Sequence, residues 1–201
     1  LDNFLIVGIA GKIRSGKDTI AEVFMDNGYY GVSLGDIVRE KSREIHKDEP
    51  NPISTDNMTA TANYLRAQLG SDFLLKEAIN KYMEAIKSKD YKGLVVYSIR
   101  APIEADKILE RGGQLIWIEA SDQIRFQRAM NYLRPGDKQV TFEEFSEAES
   151  KQFKPDPSIP AESQMDLDYV KSKATLRLNN EDTDIDSFRQ KSRELVNSLK
   201  A

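Results

Sequence analysis

The sequence predicts an α/β fold: a five-stranded parallel sheet with helices packed on both faces, in three layers. Three observations carry that expectation. Short apolar runs alternate along the chain with stretches whose apolar residues recur every three or four positions. Two runs, 4–9 (FLIVGI) and 93–99 (GLVVYSI), are apolar almost throughout, the pattern of strands buried on both faces. The first run also passes directly into a glycine-punctuated loop and then a helical stripe, so the chain opens as strand, loop, helix.

The loop of that opening unit carries the chemistry. Gly11, Gly16 and Lys17 stand at the spacing G-x-x-x-x-G-K, which is the phosphate-cradling loop of nucleotide-binding proteins. A loop of low side-chain bulk can turn the backbone N–H groups of Lys12, Ile13, Arg14, Ser15 and Gly16 inward onto phosphate oxygens. The helix that follows adds the positive end of its dipole, and the Lys17 ammonium reaches the terminal phosphates. A polyphosphate is therefore the expected ligand. Three fixed positions recur by chance in a chain this long about one time in twenty, and the flanking strand and the Ile20, Val23, Phe24 stripe make chance a poor account here. Asp18 stands where a Ser or Thr ordinarily ligands magnesium, and Thr19 follows. Two assignments are open: a carboxylate ligand from Asp18, or a capping Asp18 with Thr19 on the metal.

The remaining elements follow in order. Asp26-Asn27-Gly28 ends the first helix, residues 29–34 give a second strand, and a helix begins within 33–40 (SLGDIVRE). After the 49–52 loop (EPNP), Ser54 to Asp56 can cap a helix with the stripe Ala62, Leu65, Leu69, and a further helix shows Leu75, Ala78, Ile79, Tyr82, Met83 and Ile86. The unbroken apolar run 93–99, bounded by turn residues, reads as a buried central strand. Arg100-Ala101-Pro102 turns into a helix that Gly112-Gly113 stops, and 114–119 (QLIWIE) forms a fourth strand with Trp117 in the core. Ser121 caps a helix with Phe126, Ala129, Met130 and Leu133 on one face. Arg125, Arg128 and Arg134 lie off that stripe, where a solvated face is the plain reading. A helix over 141–153 opens on a capping box, Thr141 with Glu144. Residues 154–160 (KPDPSIP) read as an irregular loop, 174–178 as a fifth strand, Asn179-Asn180 as a turn, and Phe188, Leu195, Val196 and Leu199 as the buried face of a last helix.

Composition narrows the function classes. At 201 residues the chain suits one α/β domain with an inserted helical lobe. The net charge of −4, with both signs interspersed, gives no support for a nucleic-acid or membrane-binding surface. Cysteine is absent, which excludes disulfide and thiolate chemistry and fits a reducing cytoplasm. The beginning has no secretory pattern and no apolar run approaches twenty residues, so a cytoplasmic protein is expected. The single histidine, His46, lies in a polar stretch without a catalytic partner in the pattern.

Beyond the loop, the segment 33–40 resembles the S-T-G-D-x-x-R segment of adenylate kinases. Residues 62–70 (ANYLRAQLG) are similar to an A-x-x-L-R-x-x-L-G segment of an uncharacterised archaeal adenylate-kinase-like group. The chain is identified as a member of the P-loop nucleoside monophosphate kinase superfamily, also similar to dephospho-coenzyme A kinase and phage deoxynucleoside monophosphate kinase. The resemblance covers nearly the whole chain and implies the three-layer P-loop NTPase fold. It also implies a single domain with a core (1–34, 93–120, 170–201), a helical acceptor-binding insert (about 35–92) and a lid (about 121–160). It implies ATP and Mg2+ on residues 11–19, with Asn179 and Asn180 on the adenine side. Gly35, Asp36, Arg39, Arg66 and Arg100 would then hold the acceptor, and Arg125, Arg128 and Arg134 would serve as lid arginines. Lys17, Asp36, Arg100 and the lid arginines are the implied catalytic set. Phosphoryl transfer is catalysed mainly by positioning and by spread positive charge, so arginines converging from separate elements make chemical sense.

Three departures bear on the acceptor and the rate. Leu34 replaces the Thr of the acceptor motif, removing a hydroxyl. Tyr97-Ser98 replaces the Asp-Gly before Arg100 in a D-G-x-R motif, removing a strand-end acid. Ala148-Glu149 replaces an Arg-Asp pair, with Lys151 nearby in sequence. The expected activity is transfer of the ATP γ-phosphoryl group to a nucleoside or deoxynucleoside monophosphate. Alternatives are hydroxyl phosphorylation of the dephospho-coenzyme A kinase kind and a non-catalytic ATP-binding switch. A small-molecule acceptor is the expected partner, for a monomer or homodimer.

Overall fold

The computed structural model describes residues 4–133, 139–152, 161, 164–182 and 184–199, with the side chains of 148, 151 and 152 left aside. Its sheet has the order β2-β3-β1-β4-β5, every pairing parallel: β1 (Leu5–Ala10), β2 (Tyr30–Ser33), β3 (Gly93–Ile99), β4 (Gln114–Glu119) and β5 (Leu176–Asn179). The chain fills one side of β1 with β2 and β3, then crosses over it to lay down β4 and β5. The loop after β1 therefore sits at the crevice where the crossovers diverge, outside the carboxyl ends of the strands, the place where open parallel sheets bind ligands.

Alternation along each strand sorts the apolar residues to two cores. Val7, Ile9, Val95, Ile116 and Ile118 pack under α1 (Lys17–Asp26) and α9 (Ile185–Ser198), chiefly on Ile20, Phe24, Phe188 and Val196. Ile6, Ala10, Leu94, Val96, Leu115 and Trp117 face the other way. They pack under α2 (Leu34–Ile45), α3 (Thr55–Leu69), α4 (Phe73–Ala85), α5 (Pro102–Glu110) and α8 (Leu167–Lys173). Each buried Val, Leu, Ile or Phe among them stabilises the layers by about 1.5–3 kcal/mol relative to exposure. The α6 (Asp122–Asn131) and α7 (Phe142–Gln152) helices pair through Phe126, whose ring meets those of Phe142 and Phe145 at 5.5 and 5.8 Å.

Three local features differ from the sequence expectation. The second strand stops at Ser33 because its hydroxyl accepts the Asp36 N–H at 3.1 Å, so Leu34 opens α2 as a buried helical residue. The short α8 helix was not anticipated; Asp166 caps it by accepting the Tyr169 N–H at 2.8 Å. In β3 the alternation breaks. Ile9 pairs with Tyr97 and Ala10 with Ile99, so Ser98 is an extra residue, with φ 67. The Thr141–Glu144 capping box forms reciprocally, at 2.7 and 3.2 Å. The 154–160 loop lies outside the described residues.

Candidate active site

The loop between β1 and α1 takes its shape from its glycines. Gly11 (φ 150) could not carry a Cβ, which would lie 2.7 Å from both the Ile118 carbonyl and Ser15 Oγ. Gly16 (φ 104) has the same restriction, because a Cβ there would collide with Asn180 Nδ2. Arg14 also has positive φ, 61. Inside the curve the buried Lys17 ammonium donates to the loop's own Lys12 carbonyl at 2.6 Å. Ser15 Oγ is fully buried and has no hydrogen-bond partner among the described residues. The first amides of α1 have no carbonyl one turn back, so the loop is ringed by donors.

Arg125 and Arg128 are not on a solvated face. Arg125 is 0% exposed. Its Nη1 donates to the Ile13 carbonyl at 3.0 Å and to Glu149 Oε1 at 2.6 Å, and its Nη2 to Asp122 Oδ1 at 2.6 Å and Glu149 Oε2 at 2.8 Å. Burial alone would lower the Arg125 pKa, but its hydrogen bonds to the Glu149 and Asp122 carboxylates outweigh it and raise the pKa above the ordinary value. The Lys12 ammonium joins this cluster, 3.6 Å from Asp122 and from Glu149. Arg128 spends its guanidinium on main-chain oxygens and one amide: Arg14 O at 3.3 Å, Asn180 O and Oδ1 at 3.0 Å, and Asp182 O at 2.8 Å. Asn180 Nδ2 in turn donates to Ser15 O at 2.8 Å. The periodicity missed both arginines because it scores apolar residues, whereas Arg125 is buried against carboxylates and Arg128 is half-buried against carbonyls. Asn179, the last residue of β5, is exposed. Arg134 lies outside the described residues, and so does the side chain of Lys151.

On the other side, Asp36 and Arg39 lie near the start of α2, where they bond to each other. Gly35 precedes them; a Cβ there would stand 3.7 Å from Ser98 Oγ, so the start of α2 abuts the end of β3. Tyr97, half-buried on β3, has its pKa raised, first by burial and then by the carboxylates of Asp18 and Glu22, against the opposing charge of Arg39. The phenol therefore stays protonated at neutral pH. Arg66 is only 4% exposed; its Nη2 donates to Glu104 Oε1 at 2.5 Å, while Nε and Nη1 are buried without a partner among the described residues. Arg100 follows β3. Its N–H donates to Glu104 Oε2 at 2.9 Å, its carbonyl accepts from Asp166 N at 2.9 Å, and its Nη1 lies 3.6 Å from Met165 Sδ. A cavity of about 410 Å3 opens between the loop and this segment, lined by Lys12, Glu149, Gln164, Met165, Asp166 and Asp168.

The structure thus gathers Lys12, Lys17, Arg125, Arg128 and Asn180 around one loop, and leaves Asp36–Arg39 and Arg66–Glu104 as two separate pairs. Glu104 and Asp166 escaped the sequence reading, and Glu149 entered it only as a departure from an Arg-Asp pair. Glu104 alone had a signal, an acid in the first turn after Ala101-Pro102. Among the described residues no group of three or more His, Cys, Asp or Glu side chains could hold a metal ion, and no helix is long and apolar enough to cross a membrane.

No family model matches the chain. It is 32% identical over 143 residues to a UPF0200 protein of Hyperthermus butylicus, covering 70% of this chain and 72% of that one. A UPF0200 protein of Thermococcus sibiricus is 29% identical over 154 residues, covering 75% and 77%. The chain spans only 40% of a longer UPF0200/UPF0201 protein of Archaeoglobus fulgidus, at 30% identity over 66% of its own length. Among solved structures, shikimate kinase from Acinetobacter baumannii in complex with shikimate superposes with a TM-score of 0.55 at 14% identity, covering 98% of this chain and 95% of that one. TT1252 from Thermus thermophilus gives 0.52 at 21% identity, with both chains fully covered. The fold is that of the P-loop kinases, three layers about an all-parallel five-stranded sheet.

Proposed function

The chain belongs to the UPF0200 family, and we propose that it is an ATP-dependent phosphotransferase that moves the γ-phosphoryl group to a small nucleotide-like acceptor, a nucleoside or deoxynucleoside monophosphate. The observation that carries this reading is the Lys17 ammonium, buried inside a loop whose glycines exclude side chains and resting on the loop's own Lys12 carbonyl at 2.6 Å. An ammonium held at that point inside the loop can donate charge-assisted hydrogen bonds to phosphate oxygens, which are stronger than its bond to a neutral carbonyl.

The residues fit the expected ligands. Ser15 Oγ is an orphaned polar atom in the loop, with no hydrogen-bond partner among the described residues. Asp18, exposed, and Thr19 stand in the first turn of α1 as the two candidate magnesium ligands; one or two protein oxygens suffice for an ion held mostly by phosphates and water. When bound, the ion neutralises charge on the phosphates. Lys17 draws charge from the terminal phosphate, while Arg39 and Arg100 bind and orient the acceptor with Gly35 and Arg66 behind them. Asp36 orients the acceptor, or takes its proton if the acceptor is a hydroxyl. Arg128 serves as a positioning residue, tying Asn180 and Asp182 to Arg14. Arg125 reaches the transferring group only by exchanging Glu149 for a phosphate oxygen. In the same reading residues 35–92 form the acceptor region and 121–160 a lid, including Arg134, that excludes water on closing. A cytoplasmic monomer or homodimer completes it.

A second reading, a nucleotide-binding switch without transfer, is favoured by Tyr97 at the end of β3, where a neutral phenol replaces an acid. Incubation with ATP, Mg2+ and a panel of nucleoside monophosphates, deoxynucleoside monophosphates and dephospho-coenzyme A separates the two. Acceptor-dependent ADP supports the phosphotransferase and names its substrate; tight ATP binding without it supports the switch.

A further inference from the structure

Glu104 reaches both the acceptor-side helix α3 and the turn that carries Arg100. It is 0% exposed. One oxygen accepts from Arg66 Nη2 at 2.5 Å; the other accepts the main-chain N–H groups of Arg100 at 2.9 Å and Ala101 at 3.1 Å. Ala101, which caps α5, has no side-chain acceptor of its own, so only the returning half of a capping box exists here. The Arg100 peptide is pinned on its other side by the Asp166 N–H at 2.9 Å. The chain Arg66, Glu104, Arg100, Asp166 therefore runs from α3 through the end of β3 to the wall of the 410 Å3 cavity.

The far end of this chain is unfinished. Arg66 leaves Nε and Nη1 buried and unpartnered among the described residues. Orphaned donors on a buried guanidinium are costly, and an anionic oxygen arriving there would satisfy them. It would also compete with Glu104 for the same positive charge. From this geometry we infer that Glu104 is a positioning residue that transmits anion occupancy at Arg66 to the backbone of Arg100, so that a filled acceptor site sets the placement of the clamp arginine. The inference rests on the phosphotransferase reading for its purpose, but the coupling itself needs no turnover.

Hydrogen exchange tests it with inorganic phosphate as the probe anion, read at the amides of Arg100 and Ala101 and along α3. In the wild type, phosphate should slow exchange on α3 and change it at residues 100 and 101 by about fivefold or more, the lower end of ordinary coupling between sites. In Glu104→Gln, which keeps one carbonyl acceptor but no charge, the α3 response should remain and the response at residues 100 and 101 should vanish. Arg66→Lys keeps a cation for Glu104 and loses the orphaned donors, so both responses should disappear while ATP affinity is unchanged. An equal response at residues 100 and 101 in wild type and Glu104→Gln would overturn the inference. So would a wild type in which α3 responds alone, or one in which neither segment responds. A protein that shows the coupling but makes no acceptor-dependent ADP would instead count against the proposed activity and leave the coupling standing.

Discussion

Replacing Ser98 by glycine should stabilise the protein. Ser98 is the unpaired residue where the β1–β3 register steps from Ile9–Tyr97 to Ala10–Ile99, and its φ is 67. A side chain in that left-handed region costs about 1–2 kcal/mol, because Cβ approaches the carbonyl oxygen. Glycine removes this cost but adds about 0.5–1 kcal/mol of unfolded-chain entropy. The net gain is about 0.5–1 kcal/mol. A chain of 201 residues unfolds with an entropy near 0.4 kcal/mol/K, so Tm should rise by about 1–2.5 °C. Ser98→Val, β-branched at the same φ, should lower it. Thermal melts of the three proteins under one buffer decide the matter. An unchanged or lower Tm for Ser98→Gly, with a cooperative transition, would refute the reasoning and show that Ser98 gains more from its surroundings than its backbone costs.

Gly16→Ala should destabilise by about 2–5 kcal/mol in a urea titration, the sum of a left-handed alanine and a displaced Asn180 that loses its bond to Ser15 O. Arg39→Ala should raise the acceptor concentration for half-saturation about 10–100-fold with ATP saturation unchanged, as expected for a lost charge-assisted contact; unchanged acceptor saturation would contradict its placement. Asp18→Ala and Thr19→Ala should differ in the Mg2+ required for turnover, the true ligand raising it about tenfold; no change in either would remove the metal from this loop. The Asp122 carboxyl is held below its ordinary pKa, chiefly by its hydrogen bond with Arg125. Its contribution to stability is therefore present above the unfolded pKa of about 3.9 and lost as pH falls through the lower folded value. Melting temperature should fall more steeply below about pH 4 in the wild type than in Asp122→Asn; parallel profiles would contradict this.

The five strands and the two helix-covered faces were legible because each rests on apolar spacing, as the alternation of Ile6 and Val7, or Ile116 and Trp117, shows. The loop was legible because backbone geometry dictates glycine at residues 11 and 16. The kinship to archaeal proteins and the P-loop kinase fold also followed from the sequence. What the sequence hid is polar burial. Arg125, Arg66 and Glu104 look like surface charges by spacing, and only the positions of partners 24 and 38 residues away make them interior. The short α8 helix escaped for a related reason: its seven residues offer too few turns for a periodic stripe, and its place is set by the Asp166–Arg100 bond. The strain at Ser98 is likewise a property of register, which composition does not report.

The most direct measurement is a single-turnover reaction of the protein with γ-labelled ATP and Mg2+, following the label into each member of the acceptor panel. Transfer of label to one acceptor by the wild type, abolished in Lys17→Ala, is the expected result. Release of label only as inorganic phosphate, or transfer that survives in Lys17→Ala, would contradict the account.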